Sequence, residues 1–159
     1  MFLLKLKNNN RGYSSLTWTT ILFMTIVAIC AILDIVNLTM VRTTLINRVD
    51  VLANIATVQG GFNNGAPTDW GQVMNQRYIT RGECESYFTQ GFSRFSSIAT
   101  NARVDLPGAV DFNKQGVVTG YVTYCPIFSR RVTSGISSGY DMSHRASFSG
   151  FWIYKTEHM

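Results

Sequence analysis

The sequence predicts an α+β chain: a long N-terminal transmembrane and stalk helix, then a small extracytoplasmic α/β domain that ends in an antiparallel sheet. Three observations lead there. A charge-free apolar run of membrane-crossing length lies near the N-terminus. An amphipathic pattern continues past it, with no Gly or Pro between Tyr13 and Gln59. From residue 103 onward the vocabulary turns to β-branched and aromatic residues between turn signals. The expected division is a basic leader at 1–12, expected to be removed, a helix at 13–60 and an outer domain at 61–159.

Charge separates the leader from the rest. The 159 residues carry 14 Lys and Arg against 9 Asp and Glu, a net charge of +5. Lys5, Lys7 and Arg11 supply three of those charges, and the chain after Gly12 is nearly neutral. With 46% hydrophobic and 13% aromatic residues the chain is no disordered tail. Its scattered basic excess does not make a nucleic-acid binder.

The apolar run comes first among the elements. From Gly12 to Leu33 there is no charged residue. As a helix, residues 13–33 would span about 31 Å, which matches a hydrocarbon core of about 30 Å. Three cations before it and none directly after it place the N-terminus in the cytoplasm, with Tyr13 and Trp18 at the interfacial belt. A secretory signal would have a shorter apolar core and a small-residue cleavage site, whereas this run ends in Asp34-Ile35-Val36-Asn37.

Beyond Asp34, Leu38, Leu45 and Leu52 recur every seven residues. Ile35, Val49 and Ala56 form a second seam, which Arg42 interrupts. The spacing predicts one helix over residues 16–59, about 66 Å long, stopped by Gly60-Gly61. Two uses fit it: a stalk that packs on its own outer domain, or a helix made to bundle with copies or relatives of itself. In the second, Asp34 of one chain would meet Arg42 of the next across an axial shift of about 12 Å. In the bland alternative, Asp34 marks the water interface and Arg42 snorkels to headgroups.

In the outer domain, residues 62–67 read as a loop. Thr68-Asp69 can cap a short helix through Trp70, Val73, Met74 and Arg77. A second helix is expected at about 85–98, with Phe88, Phe92 and Phe95 on one face. Candidate strands are 103–106, 110–112, 116–126, 128–133 and 147–155, with 134–140 a Ser/Gly-rich loop.

Little in this domain points to chemistry. Cys84 and Cys125 would face an oxidising exterior, and either form a disulfide or remain two separate buried thiols. A bond would close a loop of about 40 residues, worth on the order of 3–4 kcal/mol. Cys30, in the apolar run, reads as a small apolar residue. His144 and His158 have no ligand-spaced partners in sequence, so neither metal nor cofactor is expected. Gly135-Ile136-Ser137-Ser138-Gly139 matches a nucleophile-elbow pattern but lacks the strand and helix that the pattern needs, so no enzyme is expected. Asn37-Leu38-Thr39 is a glycosylation sequon placed inside a helix.

The order of parts resembles type IV pilin-like proteins, most closely the TadE-like minor pilins of tight-adherence pilus systems. Arg11-Gly12 resembles a prepilin-peptidase site, with Tyr13 as first residue of the mature chain. Leu16-Thr17-Trp18 stands where the family has an apolar residue, Glu and an aromatic. The stretch from Leu33-Asp34 through Arg42 to Leu45 resembles the family's exit from the membrane. The resemblance covers about residues 5–61. It implies a structural subunit of an envelope-spanning filament or a secretion or conjugation apparatus, assembled through Thr17, Trp18, Asp34 and Arg42. It implies other pilin-like subunits, a prepilin peptidase and membrane lipid as partners. Thr17 departs from the family, whose Glu pairs with a neighbour's amino terminus. A lone carboxylate in hydrocarbon is costly, and a Thr hydroxyl can instead bond to its own helix. The alternative function is a single-pass membrane-anchored adhesin or sensor ectodomain that binds an external partner.

Overall fold

A computed structural model describes residues 3–62, 78–110, 114–128 and 139–150, with side chains from residue 14 onward. The chain is α+β: a long N-terminal apolar helix followed by a small three-stranded antiparallel sheet.

Helix α1 is unbroken from Leu3 to Gln59, 57 residues or about 86 Å. It starts well before the expected residue 16, and Gly12 lies inside it. Its end is a glycine stop. Gly60 and Gly61 have φ of 75° and 116°, and both their amides donate to the Ala56 carbonyl, at 2.8 and 3.1 Å. A Cβ at Gly61 would collide with the Gly108 carbonyl, because the stop is laced to the segment 107–110. Phe62 N donates to the Pro107 carbonyl and Val110 N to that of Gly60. The buried Gln59 amide fastens the corner, donating to the Gly61 and Ile79 carbonyls at 3.0 Å each and accepting from Ile79 N.

The short helix α2 runs Arg81–Gln90. It begins four residues before the expected start because Thr80 and Glu83 form a reciprocal capping box: Thr80 N donates to Glu83 Oε2 at 2.9 Å, and Glu83 N to Thr80 Oγ1 at 3.4 Å. It stops at Gly91 rather than running on to residue 98, and a single 3-10 turn, Ser93–Phe95, follows. Phe88, Phe92 and Phe95 all reach the core despite the break; the Phe88 and Phe92 rings lie 5.3 Å apart, tilted by 56°.

The strands are β1 Ala99–Asp105, β2 Gln115–Tyr124 and β3 Tyr140–Ser149, with β2 in the centre. β1 begins earlier than expected and carries a bulge between Thr100 and Arg103, where Asn101 takes a left-handed φ of 53°. β2 lies where expected, give or take two residues. β3 corrects the closing strand: it opens at Tyr140, expected to be loop, and ends at Ser149. Val110 is irregular and Phe128 is in no strand. The expected helix through Trp70 to Arg77, and residues 111–113, 129–138 and 151–159, lie outside the described residues.

One face of the sheet packs on α1. Val118, Gly120, Val122 and Tyr124 alternate inward along β2, against Val41, Leu45, Val49, Leu52, Ala53 and Ala56 of the helix. The helical seam therefore runs through Asp34, Leu38, Val41, Leu45, Val49, Leu52 and Ala56. Ile35, expected on it, is 62% exposed. Arg42 does not interrupt the seam either; it is exposed beside it. A spacing of seven with intermediate steps of three and four turns slowly around a straight helix, and Val41 rather than Arg42 falls on the buried side.

Candidate functional site

Within the membrane-length run the helix surface is bare. Leu16, Phe23, Met24 and Ile32 are all exposed, and Trp18 is 70% exposed. This stretch is long and apolar enough to cross a membrane, with a mean hydropathy of 2.5 in its richest window. Three of its threonine hydroxyls are satisfied within the helix. Thr19, Thr20 and Thr25 each donate to the carbonyl four residues back, at 2.8–2.9 Å. Thr17 is exposed on the same surface. Gly12 and Tyr13 lie within the helical backbone of α1.

Asp34 stands where this bare rod becomes the spine of the domain. It is only 8% exposed. Its Oδ1 accepts from the backbone N–H of Ile127, at 3.1 Å, and of Phe128, at 3.3 Å. Its own carbonyl accepts from the Tyr124 hydroxyl at 2.8 Å. One residue of the helix thus holds the end of β2 and the chain that leaves it. Hydrogen bonds to an ionised group are worth about 1.5–3 kcal/mol each, which offsets the cost of burying the carboxylate. Burial, and secondarily the negative charge of Asp34, push the Tyr124 phenol up to about 12, so it stays a donor.

The structure does not bring the other expected residues to this point. Arg42 lies two turns above, exposed, and within one chain it does not meet Asp34. The carboxylate expected to reach a neighbour's Arg42 is engaged inside its own domain. Cys84 and Cys125 are both free thiols, the second of the two arrangements open from the sequence. Alternation along β2 separates them: Cys84 points from α2 into the core, whereas Cys125 takes the opposite sheet face, 3.8 Å from Thr100 Oγ1. Burial, then Glu83 and Glu85, push the Cys84 thiol up to about 11.

Sequence reasoning missed Tyr124, Gln59 and two contacts that tie α1 to the domain. The Arg48 guanidinium lies 4.0 Å over the Tyr87 ring and donates to the Tyr87 carbonyl at 3.0 Å. His144 Nε2 lies 3.3 Å from Asp50 Oδ1. These pairs are 39 and 94 residues apart in sequence, so no spacing rule finds them. On the outer sheet face, Arg103 lies over Tyr121 and Thr123 donates to Asp141 at 2.7 Å, in a groove of about 580 Å³.

No family model matches the chain, and no curated protein or solved structure matches it.

Proposed function

We propose that the protein is a structural, pilin-like subunit of an envelope-spanning filament or secretion or conjugation apparatus. It sits in the membrane with its N-terminus in the cytoplasm and its domain outside, and assembles through α1. One observation carries the reading. α1 is a single rod whose described side chains from Ser14 to Leu33 are exposed, apart from the half-buried Cys30, while its second half is the spine of the domain. An anchor alone needs a span; it does not need a span continued without a break into the domain core.

Thr17 and Trp18 offer the bare half of the rod to neighbouring helices in lipid, where packing and interhelical hydrogen bonds drive association. A prepilin peptidase would cut between Gly12 and Tyr13, in a segment that is helical in the uncut chain. The groove holding Arg103, Tyr121, Thr123 and Asp141 favours a second reading, a membrane-anchored module that binds an external partner on its outer sheet face.

The N-terminal residue of the chain isolated from membranes separates the two. A subunit of this kind begins at Tyr13, and Gly12→Val leaves Met1 in place and abolishes incorporation into the assembly. A mature chain that keeps Met1 and runs as a monomer in detergent overturns the filament reading.

A further inference from the structure

We propose that the groove between α1 and β3 is a headgroup site for an anionic phospholipid. Through it the near end of the sheet rests on the membrane that α1 crosses. The inference rests on the membrane-span reading and adds a docking surface to it.

The groove has a volume of about 480 Å³. Leu38, Leu45 and Ile46 of α1 form one wall, and β3 from Tyr140 to His144 the other, so that Arg42 and Asp141 both border it. Its height follows from the helix. Leu38 and Arg42 lie five and nine residues past Leu33, about 7.5 and 13.5 Å along the axis. The headgroup layer occupies about 5–8 Å on each side of the hydrocarbon core, so the groove opens at its outer edge. An arginine just above the phosphates can lay its stem along Leu38 and turn its head down to them.

Charge complementarity selects the occupant. Arg42 has no ion pair among the described residues, and the acids near it are each engaged with another partner. Asp34 accepts from the Ile127 and Phe128 amides. Asp141, at the groove rim with Ser143, accepts from Thr123. Asp50 lies about 12 Å farther from the membrane, beside His144. A bare guanidinium that can reach down toward the phosphates is matched by an anionic headgroup. Tyr140 is 60% exposed at the same groove, an amphipathic ring where interfacial aromatics collect. Below it Ile35 and Val36 are exposed on the helix, apolar groups suited to the lipid boundary.

The full chain, carrying Cys30→Ser and Cys125→Ser, is reconstituted in phosphatidylcholine vesicles with and without phosphatidylglycerol. A fluorophore is attached at Ser143→Cys on the groove rim or, as the distal reference, at Ser147→Cys. Quenching by headgroup-labelled lipid should be several-fold stronger at 143 than at 147, and stronger with phosphatidylglycerol. Arg42→Glu should abolish the difference and Arg42→Lys should keep it, with unchanged circular dichroism. A chain extracted by an alkaline carbonate wash overturns the span reading and this proposal together. A chain that stays in the membrane, but whose 143 and 147 labels are equally open to aqueous iodide, overturns the proposal alone. Shielding of 143 from both quenchers that grows with the protein-to-lipid ratio also overturns it, since a second copy then covers the groove.

Discussion

Asp34 is one carboxylate that joins three pieces of chain, so its removal should be felt beyond its own position. Asp34→Ala leaves the Ile127 and Phe128 amides without their acceptor, and buried donors left unsatisfied cost about 1–3 kcal/mol. Hydrogen exchange should show those two amides losing protection in the variant, while amides in the middle of β2 keep theirs. Tyr124→Phe removes the hydroxyl donated to the Asp34 carbonyl and should cost about 1 kcal/mol in denaturant midpoint. The free thiols give a second check. An alkylating reagent should modify Cys125 in the folded protein and reach Cys84 only on unfolding, because Cys84 is 1% exposed and its thiol is held protonated. The same two protons set the alkaline limit. Below pH 9 the Cys84 thiol is protonated whether the chain is folded or not, so it contributes no pH dependence. From 9 to about 11 the unfolded chain releases that proton and the folded chain keeps it, and Tyr124 repeats this from 10 to about 12. Thermal unfolding should be level in this respect up to about pH 9 and fall to lower temperature as pH rises beyond it.

At the scale of the element, β2 approaches α1 closely at Gly120. A Cβ there would lie 2.5 Å from Val49 Cγ2, 2.9 Å from Phe88 Cε2 and 3.0 Å from Leu45 Cδ1. Gly120→Val should therefore destabilise the domain by at least 1–3 kcal/mol, read from the denaturant midpoint. Gly82, in the first turn of α2, has open space around it, so Gly82→Ala should stabilise by about 0.5–1 kcal/mol. How much of these elements the sequence disclosed depended on what fixes each one. The end of α1 was legible because two glycines in left-handed backbone are a local device. The β2 strand was legible because its β-branched and aromatic residues lie in one run. The start of α2 was equally local, a Thr80 to Glu83 capping box, but the phenylalanine spacing drew attention one turn too late. β3 was poorly legible, since His144 and Arg145 interrupt a strand whose register is set by β2 rather than by its own residues. The Asp34 clasp is not legible at all: a carboxylate closing an apolar run stands out in the sequence, but its partners are 90 or more residues away.

For the molecule as a whole, the described core draws nothing from the helix before Leu38, apart from the clasp at Asp34. A chain beginning at Asp34 should therefore fold, remain soluble without detergent and show the circular dichroism of a mixed α+β domain. A chain beginning at Arg42 loses the clasp and should be less stable. Size-exclusion chromatography with denaturant titration checks both. The continuity of α1 has a mechanical consequence as well. Because the rod that would cross the bilayer is also the rod on which the sheet is built, the domain inherits the angle of the span. Between Asp34 and Gln59 the helix rises about 38 Å. A tilt of about 20° from the membrane normal, ordinary for a single span, would carry the Gln59 end about 13 Å sideways and lean the whole sheet with it. Anything that changes bilayer thickness, or crowds the bare half of the rod, would thus re-aim the outer face of the sheet as a lever re-aims its far end.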